Sequence, residues 1–227
     1  MLLDVLFSSN VSLSSVIISI VSSLAVIFLT MPIHEYAHAL AATKLGDPTP
    51  RYTGRLHLSP FAHIDYFGAL CILLVGFGWA KPVQVNPNYF QNPKRDMAIT
   101  AFAGPLSNLC VAFVGLFIYN LFYFFTLKTQ IIFLYYIALF FFYISQINIG
   151  LAVFNLIPVP PLDGSRLLAA FLPDRLYYRI MQYERYLYFA VIILVFTGVL
   201  DRPLSFVISG ILSAFNNITS LPFGLFI

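Results

Sequence analysis

The chain has 227 residues, 60% of them hydrophobic and 9% charged, with a formal net charge of +3 and a mean hydropathy of +0.87. That composition excludes a soluble globular domain and implies an apolar surface facing lipid. The small positive excess calls for no nucleic acid, since anionic headgroups are enough; Cys71 and Cys110 fall in apolar segments, too few and too scattered for a disulfide framework or a cysteine zinc site.

Residues 11 to 43 form the first stretch of bilayer-spanning length, about 20 residues being needed. It lacks the basic n-region of a cleaved signal peptide and reads as retained. Pro32 removes a backbone donor and predicts a kink or division of this helix. Two residues later comes His34-Glu35-Tyr36-Ala37-His38. On a helix this spacing puts two imidazoles one turn apart on one face, able to grip one zinc ion, with a carboxylate beside them to take a proton from water. The chain holds only four His, and Glu35 and Glu184 are its only Glu, so chance placement is a weak rival.

Partial alternation from Arg51 to Leu58 predicts a short strand in a β-hairpin at the membrane face. Its edge either pairs with an extended peptide or is covered. His63 and Asp65, in a loop flanked by Pro60, read as fixing a turn, and His57 as an interfacial residue. Residues 64 to 80, interrupted by Gly68, Gly76 and Gly78, predict a re-entrant or broken segment, tolerable at membrane depth only where protein or water covers the backbone. Further spans are expected at 98 to 126, 130 to 157, 186 to 200 and 204 to 222, the last two short. The expected fold is an all-α polytopic membrane protein of about five to six transmembrane segments. It forms one domain over 1–227, with a catalytic core at about 11–172 and C-terminal segments at about 186–222.

Lys and Arg placement gives the orientation. If Lys44 is cytoplasmic and 64 to 80 returns to the same side, ten of the 12 basic residues are cytoplasmic, and only Lys128 and Arg202 are not. The N-terminus is then extracytoplasmic. His38 lies six residues before Lys44, which sets a metal there roughly 10 to 15 Å below the membrane surface.

Two histidines under-coordinate zinc, and a catalytic site typically adds a third protein ligand. Asp163 follows Pro158, Pro160 and Pro161, which cannot continue a helix, so the helix from 130 breaks near Asn155. A break at membrane depth needs a polar lining, which suggests the same aqueous pocket. Asp163 either completes a His, His, Asp set or caps the helix starting near Gly164. Asn155 either donates to an oxyanion or satisfies the helix end. Asn108 either bonds across helices or serves catalysis, on a helix whose Ala101 and Gly104 permit close packing.

Together His34 to His38, Ala103-Gly104-Pro105 with Asn108, Gly78 to Val83 with Asn86-Pro87, and Asn155, Pro158, Pro161, Leu162, Asp163 and Gly164 resemble the site-2 protease family. These are intramembrane zinc metalloproteases, peptidase family M50, and the likeness is to short members without a PDZ or CBS domain. The resemblance spans roughly residues 30 to 170. It implies three core helices around one zinc per chain held by His34, His38 and Asp163, Glu35 as general base, Asn155 and with less support Asn108 at the substrate, and a site opening to the cytoplasm of a prokaryotic cell membrane. The implied partner is a membrane protein with a helix-destabilised transmembrane segment. A rival reading, a metal transporter or sensor with the same ligands, would want polar residues across the membrane, whereas Val111 to Phe125 is almost wholly apolar.

Overall fold

The computed structural model describes residues 13–75 and 79–224, and the description below concerns those residues. The first helix, α1, runs from Leu13 to Lys44. Three short elements follow, α2 (Thr49–Tyr52), α3 (Pro60–His63) and α4 (Tyr66–Val75). Then come the long pair α5 (Pro93–Thr129) and α6 (Ile132–Asn155), three shorter helices α7 (Asp163–Ala169), α8 (Asp174–Met181) and α9 (Glu184–Phe196), and finally α10 (Asp201–Gly224). The described residues contain no strand. Four helices, α1, α5, α6 and α10, are long and apolar enough to cross a membrane.

Pro32 does not divide α1. A π-helical turn at Val26–Thr30 precedes it, with the Met31 amide donating to the Val26 carbonyl, so the extra residue of the bulge absorbs the missing donor. The helix continues through both histidines. Its apolar side packs on α4 and α6 through Val26, Ile27, Met31, Ile72, Ile144, Ile147 and Leu151. Nearer its start Ser19, Ser22 and Ser23 are buried, and the Ser22 hydroxyl donates to the Phe140 carbonyl of α6 at 3.3 Å. Small residues let membrane helices approach closely.

The strand expected from Arg51 to Leu58 is replaced by the helical turn α2 followed by turns and bends. Pro48 and Pro50 fix backbone angles suited to a helical start. Buried Asp47 accepts from the Thr49 amide at 2.9 Å, which closes a turn that alternation alone does not reveal. The stretch expected to be broken forms the 10-residue α4, too short to cross; Gly76 and Gly78 lie outside the described residues. Its two flanks meet, because the Lys81 amide donates to the His63 carbonyl at 2.8 Å and the Trp79 backbone lies where a Cβ on Gly68 would stand.

The C-terminal region departs from the expected succession of crossings. α5 and α6 are antiparallel, as the aromatic contact of Tyr119 with Phe142 and the seating of Gly115 on Ser145 require. α10 runs parallel to α5: Phe113 meets Phe215, the Asn120 amide bonds Asn216 and Thr219 at 3.1 and 2.9 Å, and Phe124 meets Phe223. Near its other end the Ile208 side chain lies within contact distance of where a Cβ on Gly150 of α6 would stand. Asp201 and Arg202 therefore lie at the end of the bundle that holds Pro93 and Asn155. α9, 13 residues long and so about 20 Å, starts and finishes without carrying the chain to the far end.

This topology is testable by labelling. In a background lacking Cys71 and Cys110, a cysteine introduced by Arg202→Cys should react with an impermeant thiol reagent from the same face as Lys94→Cys and the opposite face from Lys128→Cys. Labelling of position 202 together with 128 would return α9 to a crossing segment.

Candidate functional site

The HExxH residues lie in the straight part of α1 below the π-turn, and all three polar side chains are buried, with 8, 7 and 7% of His34, Glu35 and His38 exposed. The two imidazoles converge, Nε2 to Nε2 at 3.0 Å. The third donor comes from the proline-broken connection. Asp163 Oδ2 stands 3.4 Å from His34 Nε2 and 3.3 Å from His38 Nε2. Asp163 is the first residue of α7, and the N-cap position is Leu162 with no side-chain cap, so its carboxylate faces the histidines instead of capping the helix.

The spacing suits zinc. Donors at about 2.0–2.2 Å from a tetrahedral ion sit about 3.3–3.6 Å apart; the two His to Asp163 separations match that edge and the His to His one falls slightly inside it. Among the described residues this is the one group of three or more such ligands. His38 is also oriented, since Nδ1 lies 2.7 Å from the Thr100 carbonyl of α5. An Nδ1 hydrogen that donates there leaves Nε2 as a lone pair for the metal.

Gly104 makes this geometry possible. A Cβ at that position would land on the His38 ring and 2.7 Å from His34 Cε1, so α5 can approach the ligands only where it has no side chain. Gly164 plays the matching part beside Asp163, since a Cβ there would meet the backbone of Leu156 and Ile157 where α6 ends.

Glu35 accepts a 3.0 Å hydrogen bond from the Val83 amide. Val83 belongs to a segment, 79 to 86, without helix and anchored at its other end by the Asn86 amide donating to Asp47 at 2.7 Å. This extended stretch, and not residues 51 to 58, borders the site. A cavity of about 320 Å³ opens over it, lined among others by Trp79, Val83, Asn108, Asn155, Asp163 and Arg166, with Tyr188, Val191 and Ile192 of α9 on one wall. Asn155 and Asn108 thus share the cavity with the ligands. Among the described residues the Oδ1 of buried Asn108 has no hydrogen-bond partner, which leaves that atom for whatever enters the cavity. His63 instead bonds the His57 carbonyl at 2.8 Å, away from the cluster.

The His pair, Glu35 and Asp163 are readable from motif and proline pattern. The Thr100 carbonyl, the Val83 amide and the α9 wall have no sequence signal, because backbone groups and apolar side chains carry none.

Two comparisons bear on this arrangement. The model of peptidase family M50 matches residues 130–198, which cover α6, the proline break and α9. YwhC of Bacillus subtilis (strain 168), whose name puts it forward as a zinc metalloprotease, is 37% identical over 171 residues, 75% of this chain and 78% of its own length. No solved structure matches the chain.

Gly104→Ala should strip the purified protein of zinc. Metal analysis is expected to give less than about a tenth of the wild-type content, comparable to Asp163→Ala, since outer-shell and ligand changes cost roughly 10–100-fold in affinity. Full zinc in Gly104→Ala would mean that α5 can withdraw without disturbing the ligands.

Proposed function

Because this chain belongs to peptidase family M50, we propose that it is an intramembrane zinc metalloendopeptidase of the site-2 type, cutting peptide bonds in or near transmembrane segments of other membrane proteins. The observation that carries this is the convergence of His34, His38 and Asp163 beside Glu35 in a cavity flanked by membrane-spanning helices. His34, His38 and Asp163 hold the ion. Bound there, zinc supplies Lewis acidity that polarises a scissile carbonyl and brings the pKa of water toward about 7.

The remaining steps belong to the chain. Glu35 accepts the proton of the attacking water and delivers it to the leaving amine; the Val83 amide holds one carboxylate oxygen and so aims the other. Asn155 and Asn108 supply amides for the substrate carbonyl or its developing oxyanion. Apolar walls from Val191, Ile192 and Leu151 exclude bulk water and accept a hydrophobic peptide. A helical substrate must unwind first, because its carbonyls are held in intrahelical bonds.

The site opens to the cytoplasm in this reading. With Arg202 at the same end of the bundle as Pro93, Lys128 alone of the 12 Lys and Arg sits at the far end, a sharper asymmetry than the pattern of spans alone suggests. The first helix then enters from outside, and the likeness to a Bacillus subtilis relative supports a prokaryotic cell membrane as the host.

Glu35→Gln should retain wild-type zinc and lose cleavage of a single-span substrate by at least about 10²–10⁴-fold. Retained proteolysis in a pure preparation sinks the mechanism, and zinc flux into proteoliposomes that survives the substitution revives a transporter. A substrate helix containing Gly should be cut faster than a polyleucine one, since Gly weakens a helix by about 1 kcal/mol; equal rates count against unwinding as a requirement.

A further inference from the structure

Arg166 stands out once the charges of the cavity are assigned. His34, Glu35, His38 and Asp163 form the ligand and base set, and Arg166 is the one remaining charged side chain that lines the cavity. It is half-buried, and among the described residues it has neither an ion pair nor a hydrogen bond. Two neighbouring cations differ in this respect. Lys94 donates to the Leu172 carbonyl and Arg95 to Asp96. A guanidinium keeps its charge at any relevant pH and presents five donors in a planar fork. Half-buried beside apolar walls and without a protein partner, its fork is open to an anion that a ligand brings.

Its position limits what that anion is. Arg166 lies three residues after Asp163 on α7, hence one turn along the same face. One turn is about 5.4 Å, the length of one to two residues of an extended peptide at about 3.3 Å each. The developing oxyanion would form at the buried His and Asp cluster, whereas Arg166 stands a turn away from it and more exposed. A carboxylate on a substrate side chain near the reacting bond meets both conditions, charge and offset.

Resting on the proteolytic reading above, we propose that Arg166 is a specificity-determining residue that selects substrates with an Asp or Glu one to two residues from the scissile bond. The bidentate pairing of a guanidinium with a carboxylate favours it over an uncharged amide of the same shape.

The test is a competition. Purified full-length protein in vesicles of zwitterionic phosphatidylcholine, which present no net anionic headgroup, is given paired single-span peptides differing only by Asp or Asn. The exchange is scanned over three residues on each side of a cleavage point located by mass spectrometry. At one position wild type should cut the Asp peptide about tenfold faster in kcat/KM, through KM more than kcat. Arg166→Gln should bring the ratio close to one, Arg166→Lys should keep part of it, and Arg166→Glu should favour a Lys peptide over the Asp one. A flat ratio in wild type at every position overturns the proposal, and needs no folded variant to do so. An unchanged ratio with a uniform fall in kcat in Arg166→Gln also overturns it and assigns Arg166 to the oxyanion. Absence of cleavage of every peptide by zinc-loaded wild type would instead overturn the proteolytic reading.

Discussion

How closely α5 approaches the two imidazoles governs the rest of the site. The Thr100 carbonyl reaches His38 Nδ1 only because Gly104, one turn further on, leaves room for both rings. That contact fixes which nitrogen of His38 faces Asp163 and Glu35's neighbourhood. In a bilayer such a short approach also has an energetic basis, because helices there gain little from hydrophobic burial and associate through close packing and polar contacts. The same device recurs further along the helix pair, where Gly115 seats on the Ser145 side chain.

The second constraint is the broken backbone. Asp163 can reach the histidines because α6 ends at Asn155 and the chain turns through Pro158 to Pro161 before α7 begins. Freed backbone groups at that depth are tolerated where they line a polar cavity, and the local bonds of Ile157 to Phe154, Val159 to Ile157 and Leu162 to Val159 satisfy part of them. Starting α7 at Asp163 places the carboxylate at the positive end of the helix, so one residue serves the ligand set and the helix at once.

These two constraints differ in how far they can be read from residues alone. A ligand pair at i and i+4, a run of prolines and an acid just after it are local patterns, and His34, Glu35, His38 and Asp163 follow from them. What holds those groups is not local. The Val83 amide and Thr100 carbonyl are backbone atoms 48 and 62 residues away from the side chains they meet, and no residue type marks them. The hairpin predicted at 51 to 58 fails for a related reason, since Asp47 and two prolines override a weak alternation. The direction of α10 was hidden because α9 is nearly as apolar as a span but too short to be one, and only pairs such as Asn120 with Thr219 reveal which way the next helix runs.

The distribution of met and unmet polar atoms bears on the choice between hydrolysis and transport. Toward the far end of the bundle Asn120 donates to Asn216 and Thr219, and Ser145 to the Phe141 carbonyl. Of the buried polar atoms without a partner in the protein, His34 Nδ1, Thr100 Oγ1 and Asn108 Oδ1 belong to residues lining the metal cavity. A permeation route would need polar groups free to receive an ion in succession along the membrane normal. Among the described residues three of the five such atoms gather around His34, Thr100 and Asn108, where a peptide and a water molecule can use them, and the other two, His63 Nδ1 and Asn148 Oδ1, lie outside that cavity. Clustering of this kind suits a site where something is bound and cut better than a succession of stations for an ion.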